Sequence, residues 1–176
     1  MKQIRSIRAA TLCAAIILAG LAPATRAKAV QDDFSFRSLD GGEVSSASLN
    51  GKVVVLAVAA SWLPLTQKQA QGVAKLAADY AGRGVVVYWV FTDSEKAGSR
   101  NFATDAQLKS FAARNGINLR VLRDPDGTAV KRFGISQVPA FVIMDRTGHI
   151  QRPAIEGIDP EGDLNDTIGQ RLQGLL

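Results

Sequence analysis

Side chains able to do covalent chemistry are few in this chain. Its 176 residues contain one cysteine, Cys13, and one histidine, His149. A thiolate is the nucleophile in disulfide exchange, and peroxide reduction by a cysteine begins from the same group. Cys13 sits inside a small apolar run near the start, so residues 30–176 hold no thiol for either reaction. Thr66 has a hydroxyl, which attacks nothing without a neighbouring base. His149 follows the turn signal Asp145-Arg146-Thr147-Gly148 and reads as a structural or neutral surface residue. Asp124 and Asp126 flank a proline–glycine turn and read as turn and cap groups. Asp93 and Glu95 open a polar stretch after an apolar run and read as a solvated loop. With so few soft or imidazole ligands, no metal and no cofactor is expected.

Two stretches nonetheless have the form of a site. Ala60-Ser61-Trp62-Leu63-Pro64-Leu65-Thr66 follows the apolar run 53–59 and precedes a helical pattern that starts near Thr66. A strand that enters a turn and then a helix presents its turn residues at the positive end of the helix dipole. About seventy residues on, Ser136-Gln137-Val138-Pro139 leads into a second apolar strand, Ala140-Phe141-Val142-Ile143.

The elements that must position these stretches can be read from periodicity and punctuation. Phe34-Ser35-Phe36 alternates, Asp40-Gly41-Gly42 turns the chain, and Glu43-Val44-Ser45 returns as the second strand of a hairpin. The run 53–59 is apolar on both faces, as a central strand covered on each side must be. Leu65, Val73, Leu76, Ala77 and Tyr80 fall on one helical stripe, which Gly82 and Gly84 end. Val85-Val86-Val87-Tyr88-Trp89-Val90-Phe91 is the next buried strand, completing a βαβ unit of right-handed crossover. Residues 92–103 are a polar loop, and a helix over 104–114 turns Leu108, Phe111 and Ala112 inward. A short strand over 119–122, a short helix ending at Phe133 and Gly134, and a hairpin of 141–144 with 149–152 follow. Asp159 is the expected N-cap of a last helix, with Pro160 at its first position and Leu164, Ile168, Leu172 and Leu175 on its apolar stripe.

The first 29 residues are a separate matter. Lys2, Arg5 and Arg8 precede a 14-residue run of apolar and small residues, 9–22, and Ala27-Lys28-Ala29 is a cleavage pattern that places the cut before Val30. This is the expected signal peptide, 1–29, ahead of one domain, 30–176. The run is short against the roughly 20 residues of a spanning helix; an uncleaved membrane anchor is the alternative. Five of the 21 basic residues and none of the 16 acidic ones lie in residues 1–29, so 21 less five leaves 16 of each sign in the domain. A balanced domain lacks the basic excess that nucleic-acid binding requires.

These features together resemble the thioredoxin superfamily, and within it the periplasmic TlpA-like thiol-disulfide oxidoreductases, or redoxins. The resemblance rests on Gly51-Lys52-Val53-Val54-Val55 before the first stretch and on Trp62 and Pro64 within it. It also rests on Phe133-Gly134-Ile135 before Val138-Pro139, and on Asp145-Arg146-Thr147-Gly148 after the strand. It implies an α/β three-layer sandwich, with helices flanking a central mixed sheet and an N-terminal β-hairpin extension. It also implies a cis peptide bond at Pro139. The family's motif reads Trp-Cys-Pro-x-Cys; Leu63 takes the attacking position and Thr66 the resolving one. Ala57, six residues before Leu63, stands where the family often has a polar residue. The expectation is therefore a redox-inactive, exported binding protein of the cell envelope. An extended peptide or partner protein would lie along Val138 and Pro139, beside an apolar patch of Trp62, Leu63, Pro64 and Leu65. Inward packing of Leu63 and Leu65, closing the groove, is the other reading of the patch. A thiol-disulfide or antioxidant enzyme and a purely structural subunit are the functional alternatives. A membrane enters only if the leading segment is uncleaved.

Overall fold

The structure, a computed structural model, describes residues 32–159 and 161–176. The expected signal peptide and Pro160 lie outside the described residues.

Strand β3 (Val53–Ala59) is buried throughout and organises the rest. Its two-residue period sends Val53, Val55, Ala57 and Ala59 to one side and Val54, Leu56 and Val58 to the other, into two separate apolar clusters. The hairpin strands are β1 (Ser35–Ser38) and β2 (Glu43–Ser45), and a single 3-10 turn, Ser46–Leu49, leads on to β3. Helix α1 (Pro64–Tyr80) connects β3 to β4 (Val85–Phe91), which runs parallel to it. Helix α2 (Asp105–Arg114) opens with a reciprocal capping box between Thr104 and Gln107. Then come β5 (Val121–Arg123), α3 (Thr128–Phe133), β6 (Ala140–Met144) and β7 (Ile150–Glu156). The seven strands form one mixed sheet in the order β2-β1-β5-β4-β3-β6-β7.

Both faces are covered. Val73 and Leu76 of α1, Leu108 of α2, and Leu164, Ile168 and Leu172 near the C-terminus pack on one face. Phe133 of α3 packs on the other, in an edge-on cluster with Phe34 and Phe36. The molecule is thus the three-layer α/β sandwich of thioredoxin type, with the hairpin added through the antiparallel β1–β5 pair.

Three local expectations need correction. Helix α1 starts two residues early, because Pro64 supplies a preset φ in the first turn, where its missing N–H costs nothing. Leu65 then falls outside the packed stripe and is exposed, while Thr66 and Gln69 are buried. Asp159 does not cap the last helix. Its carboxylate accepts from the Glu161 amide within a turn, and Asp163 takes the Asn165 amide at the helix entry. That helix begins with a π turn, Asn165–Gly169, before α4 (Gln170–Gln173). Gly169 suits the close packing there, since a Cβ on it would lie 2.7 Å from the Tyr80 hydroxyl.

The start of the described chain is fastened at one pole of the sheet. The Asp32 carboxylate accepts from the Ile150 amide at 3.0 Å and from Arg152 at 3.0 Å. Arg132 donates to the Asp33 carbonyl, and Ser46 Oγ donates to the Asp33 carboxylate at 3.1 Å.

Candidate functional site

Strand register brings the two stretches together. Val58 pairs with Ala140 across the antiparallel β3–β6 ladder, so residues 60–63 and 136–139 leave the sheet at the same end of adjacent strands. The 60–63 turn feeds α1 with Leu63 in the N-cap position. No side chain caps this end, and no acidic residue lies in the first turn. Trp62 is 59% exposed and Leu65 44%. Pro64 is exposed and Leu63 half-buried. Of the two readings of the patch, exposure therefore holds for Trp62, Pro64 and Leu65, and Leu63 is intermediate. Thr66 is wholly buried, and its Oγ1 donates to the Ala60 carbonyl at 2.8 Å. That hydroxyl ties the first helical turn to the strand end and is turned away from solvent.

On the facing stretch the Val138–Pro139 peptide is cis. Among the described residues, neither the N–H nor the C=O of Val138 enters a hydrogen bond, although its side chain packs against the Phe133 cluster. Two residues earlier, Ser136 gives both its N–H, at 2.7 Å, and its hydroxyl, at 2.5 Å, to Glu156. Those bonds hold the Glu156 carboxyl below the usual carboxylate range.

Asp93 is not part of a solvated loop, whereas Glu95 is exposed in irregular chain as expected. Asp93 is 1% exposed, and its carboxylate accepts from the Ser61 amide at 2.9 Å and the Ser61 hydroxyl at 2.6 Å. The sequence did hold a signal for this pair. Strands β3 and β4 are parallel and in register, Ala59 beside Phe91, so the residues two places beyond each end meet. The Asp93 carbonyl in turn accepts from the fully buried Arg123, which also donates to the Ala103 carbonyl and pairs with Asp105 at 2.8 Å. Glu95 pairs with Arg37, which also holds Asp105. The Arg37 hydrogen bond keeps the Asp105 carboxyl below its ordinary range against the opposing effect of burial.

The interior beneath the turn is apolar. Ala57 lies in register with Trp89 and Phe141, and the Trp89 indole N–H has no partner among the described residues. His149 sits at the opposite pole, exposed, 3.9 Å from Asp32. Asp124 caps α3 by accepting from the Ala129 and Val130 amides, as turn-and-cap chemistry requires. Among the described residues no three His, Cys, Asp or Glu side chains converge as metal ligands would. None of their helices is long and apolar enough to cross a membrane.

Known proteins share this architecture. The chain is 29% identical over 119 residues to the thioredoxin-like protein YneN of Bacillus subtilis, covering 68% of this chain and 65% of YneN, just under two thirds of its length. It is 28% identical over 141 residues to the soluble secreted antigen MPT53 of Mycobacterium tuberculosis, covering 79% of this chain and 75% of that protein. The structure of MTB dsbF, solved in mixed oxidized and reduced forms, superposes with a TM-score of 0.64 at 26% identity, over 81% of this chain and 95% of that one. A model of the AhpC/TSA family matches residues 27–152, well over half of the chain, and the protein belongs to the AhpC/TSA family.

Proposed function

We propose that this is an exported member of the family that works without thiol chemistry, holding an extended segment of a partner protein of the cell envelope in the groove beside Pro139. One observation carries the reading. Among the described residues the Val138 N–H and C=O have no partner, at a sheet end shared with the exposed Trp62 and Leu65. An extended chain that adds there gains main-chain hydrogen bonds, and the apolar neighbours supply contact area. Export is supported by the leading pattern of residues 1–29 and by the secreted relative.

Thiol-disulfide exchange is the second reading, favoured by a relative solved in oxidized and reduced forms. Against it, Leu63 and Thr66 stand at the two reacting positions, and the only sulfur nucleophile in the chain is Cys13. Insulin reduction and peroxide consumption by the purified 30–176 domain separate the two. Turnover above a protein-free blank would establish the enzyme.

The binding reading is tested by fluorescence anisotropy with labelled, reduced and carboxymethylated α-lactalbumin as the extended-chain probe. Saturable binding is expected, weakened about tenfold or more by Trp62→Asp with Leu65→Asp and unchanged by Lys52→Asp at the other pole. Equal loss with Lys52→Asp, or no saturable binding, would refute it.

A further inference from the structure

The two stretches that flank the proposed groove are held by the same device. On one wall the Asp93 carboxylate receives the N–H and the hydroxyl of Ser61, the residue before Trp62. On the other, the Glu156 carboxylate receives the N–H and the hydroxyl of Ser136, two residues before Val138. Two bonds from one serine to one carboxylate fix that residue's backbone and its χ1 together, which a single contact cannot do.

We propose that Asp93 and Glu156 are positioning residues that hold the two walls of the groove in their binding geometry before a partner arrives. The inference rests on the binding reading above and adds the source of its rigidity. Neither wall has regular structure of its own: 60–63 is a turn and 136–139 lies between α3 and β6. Trp62 is too exposed for packing to fix it. Were these residues loose, binding would have to order them, at roughly a tenfold loss of affinity for each backbone residue fixed. Clamped walls avoid that loss.

The two clamps differ in anchorage. Asp93 is buried, and its carbonyl is held by Arg123, so this clamp is also part of the core. Glu156 is only partly buried and lies on the outer strand β7, opposite Ala140, the residue that follows Pro139. A half-exposed carboxylate has little burial penalty for Ser136 to relieve, so a purely structural account gives the Glu156 pair no strong task. That contrast makes Glu156 the sharper test.

The experiment compares the wild-type domain with Glu156→Ala, Ser136→Ala, Ser136→Thr and Ser61→Ala, using the carboxymethylated α-lactalbumin probe, urea unfolding and amide hydrogen exchange. Glu156→Ala and Ser136→Ala are each expected to speed exchange at the Ser136 and Gln137 amides. Each should weaken probe binding about fivefold or more, with the urea midpoint unchanged. The Ser136→Thr variant keeps both donors and restores binding. Ser61→Ala is read by the anisotropy decay of the iodide-quenchable part of the emission, which comes from the exposed Trp62 and not from the buried Trp89; faster local motion of the indole is expected.

Wild-type binding with unchanged affinity in Glu156→Ala would overturn this inference and leave the binding reading standing. So would a loss of affinity that only tracks a loss of global stability. Failure of the wild-type protein to bind the probe would overturn both.

Discussion

Replacing Thr66 by valine tests why a hydroxyl stands at a position that the family's motif gives to a thiol. Thr66 is fully buried, and its Oγ1 donates to the Ala60 carbonyl at 2.8 Å. Valine keeps the β-branched shape and removes one hydrogen bond. A buried bond of this kind contributes about 1 kcal/mol net. The larger penalty for orphaning a buried acceptor does not apply, because the Ala60 oxygen also accepts from the Leu63 amide at 3.2 Å. The expected loss for Thr66→Val is therefore about 1 kcal/mol, or roughly 2–4 °C in Tm for a domain of this size. Thr66→Ala also removes the γ-methyl and leaves a small void, so about 2 kcal/mol is expected. Thr66→Ser keeps the donor and should fall between wild type and alanine. Urea unfolding at constant m value measures all three. If Thr66→Val matched or exceeded the wild type, the hydroxyl would have no structural role. A loss beyond about 3 kcal/mol would mean that it supports much more than one bond.

Three further outcomes follow from the geometry. Gly169→Ala should destabilise by about 1–3 kcal/mol despite alanine's better helix propensity, because its Cβ would meet the Tyr80 hydroxyl at 2.7 Å in a packed core. Tyr80→Phe should relieve most of that loss in a double-mutant cycle, and additivity of the two changes would refute the contact. The Asp105 carboxyl is held below its ordinary 3.8, chiefly by Arg37, so its contribution is present above that value and is lost as pH falls through the lowered one. With both side chains near half exposed, the contribution is at most about 1 kcal/mol. Asp105→Asn should accordingly flatten the decline of the urea midpoint below about pH 4, and an unchanged acid limb would show that the pair contributes nothing. Arg123→Leu removes the sole side-chain donor, among the described residues, to the Asp93 and Ala103 carbonyls and leaves Asp105 and Glu95 to Arg37. About 3 kcal/mol or more is the expected cost in a denaturant titration, and a neutral result would contradict the assigned role.

The framework was legible because it depends on local, repetitive signals. Two seven-residue apolar runs with a helix between them specify the parallel centre of the sheet, and glycine, proline and aspartate mark the turns. The pairing of residues 60–63 with residues 136–139 also followed, through the family resemblance. What could not be read by period was polar. Hydrophobic stripe counting placed Leu65 inside and passed over Thr66 and Gln69, because a buried hydroxyl or amide depends on a partner that periodicity does not report. Asp93 looked solvated for the same reason: its partner Ser61 is 32 residues away, and only the strand register brings them together. The last helix began later than expected, since Asp159 satisfies a nearer amide and leaves Asp163 to open it.

The fastening of Asp32 has a practical side. It grips Ile150, which pairs with Met144 and, through β6, lies level with Val54. The proposed groove begins beyond Ala59, five residues along the same strand, which is roughly 17 Å away. An affinity handle or a resin bead attached at Asp32 itself would start on the far side from Trp62 and Val138. Surface immobilisation through that end would therefore present the proposed binding face outward.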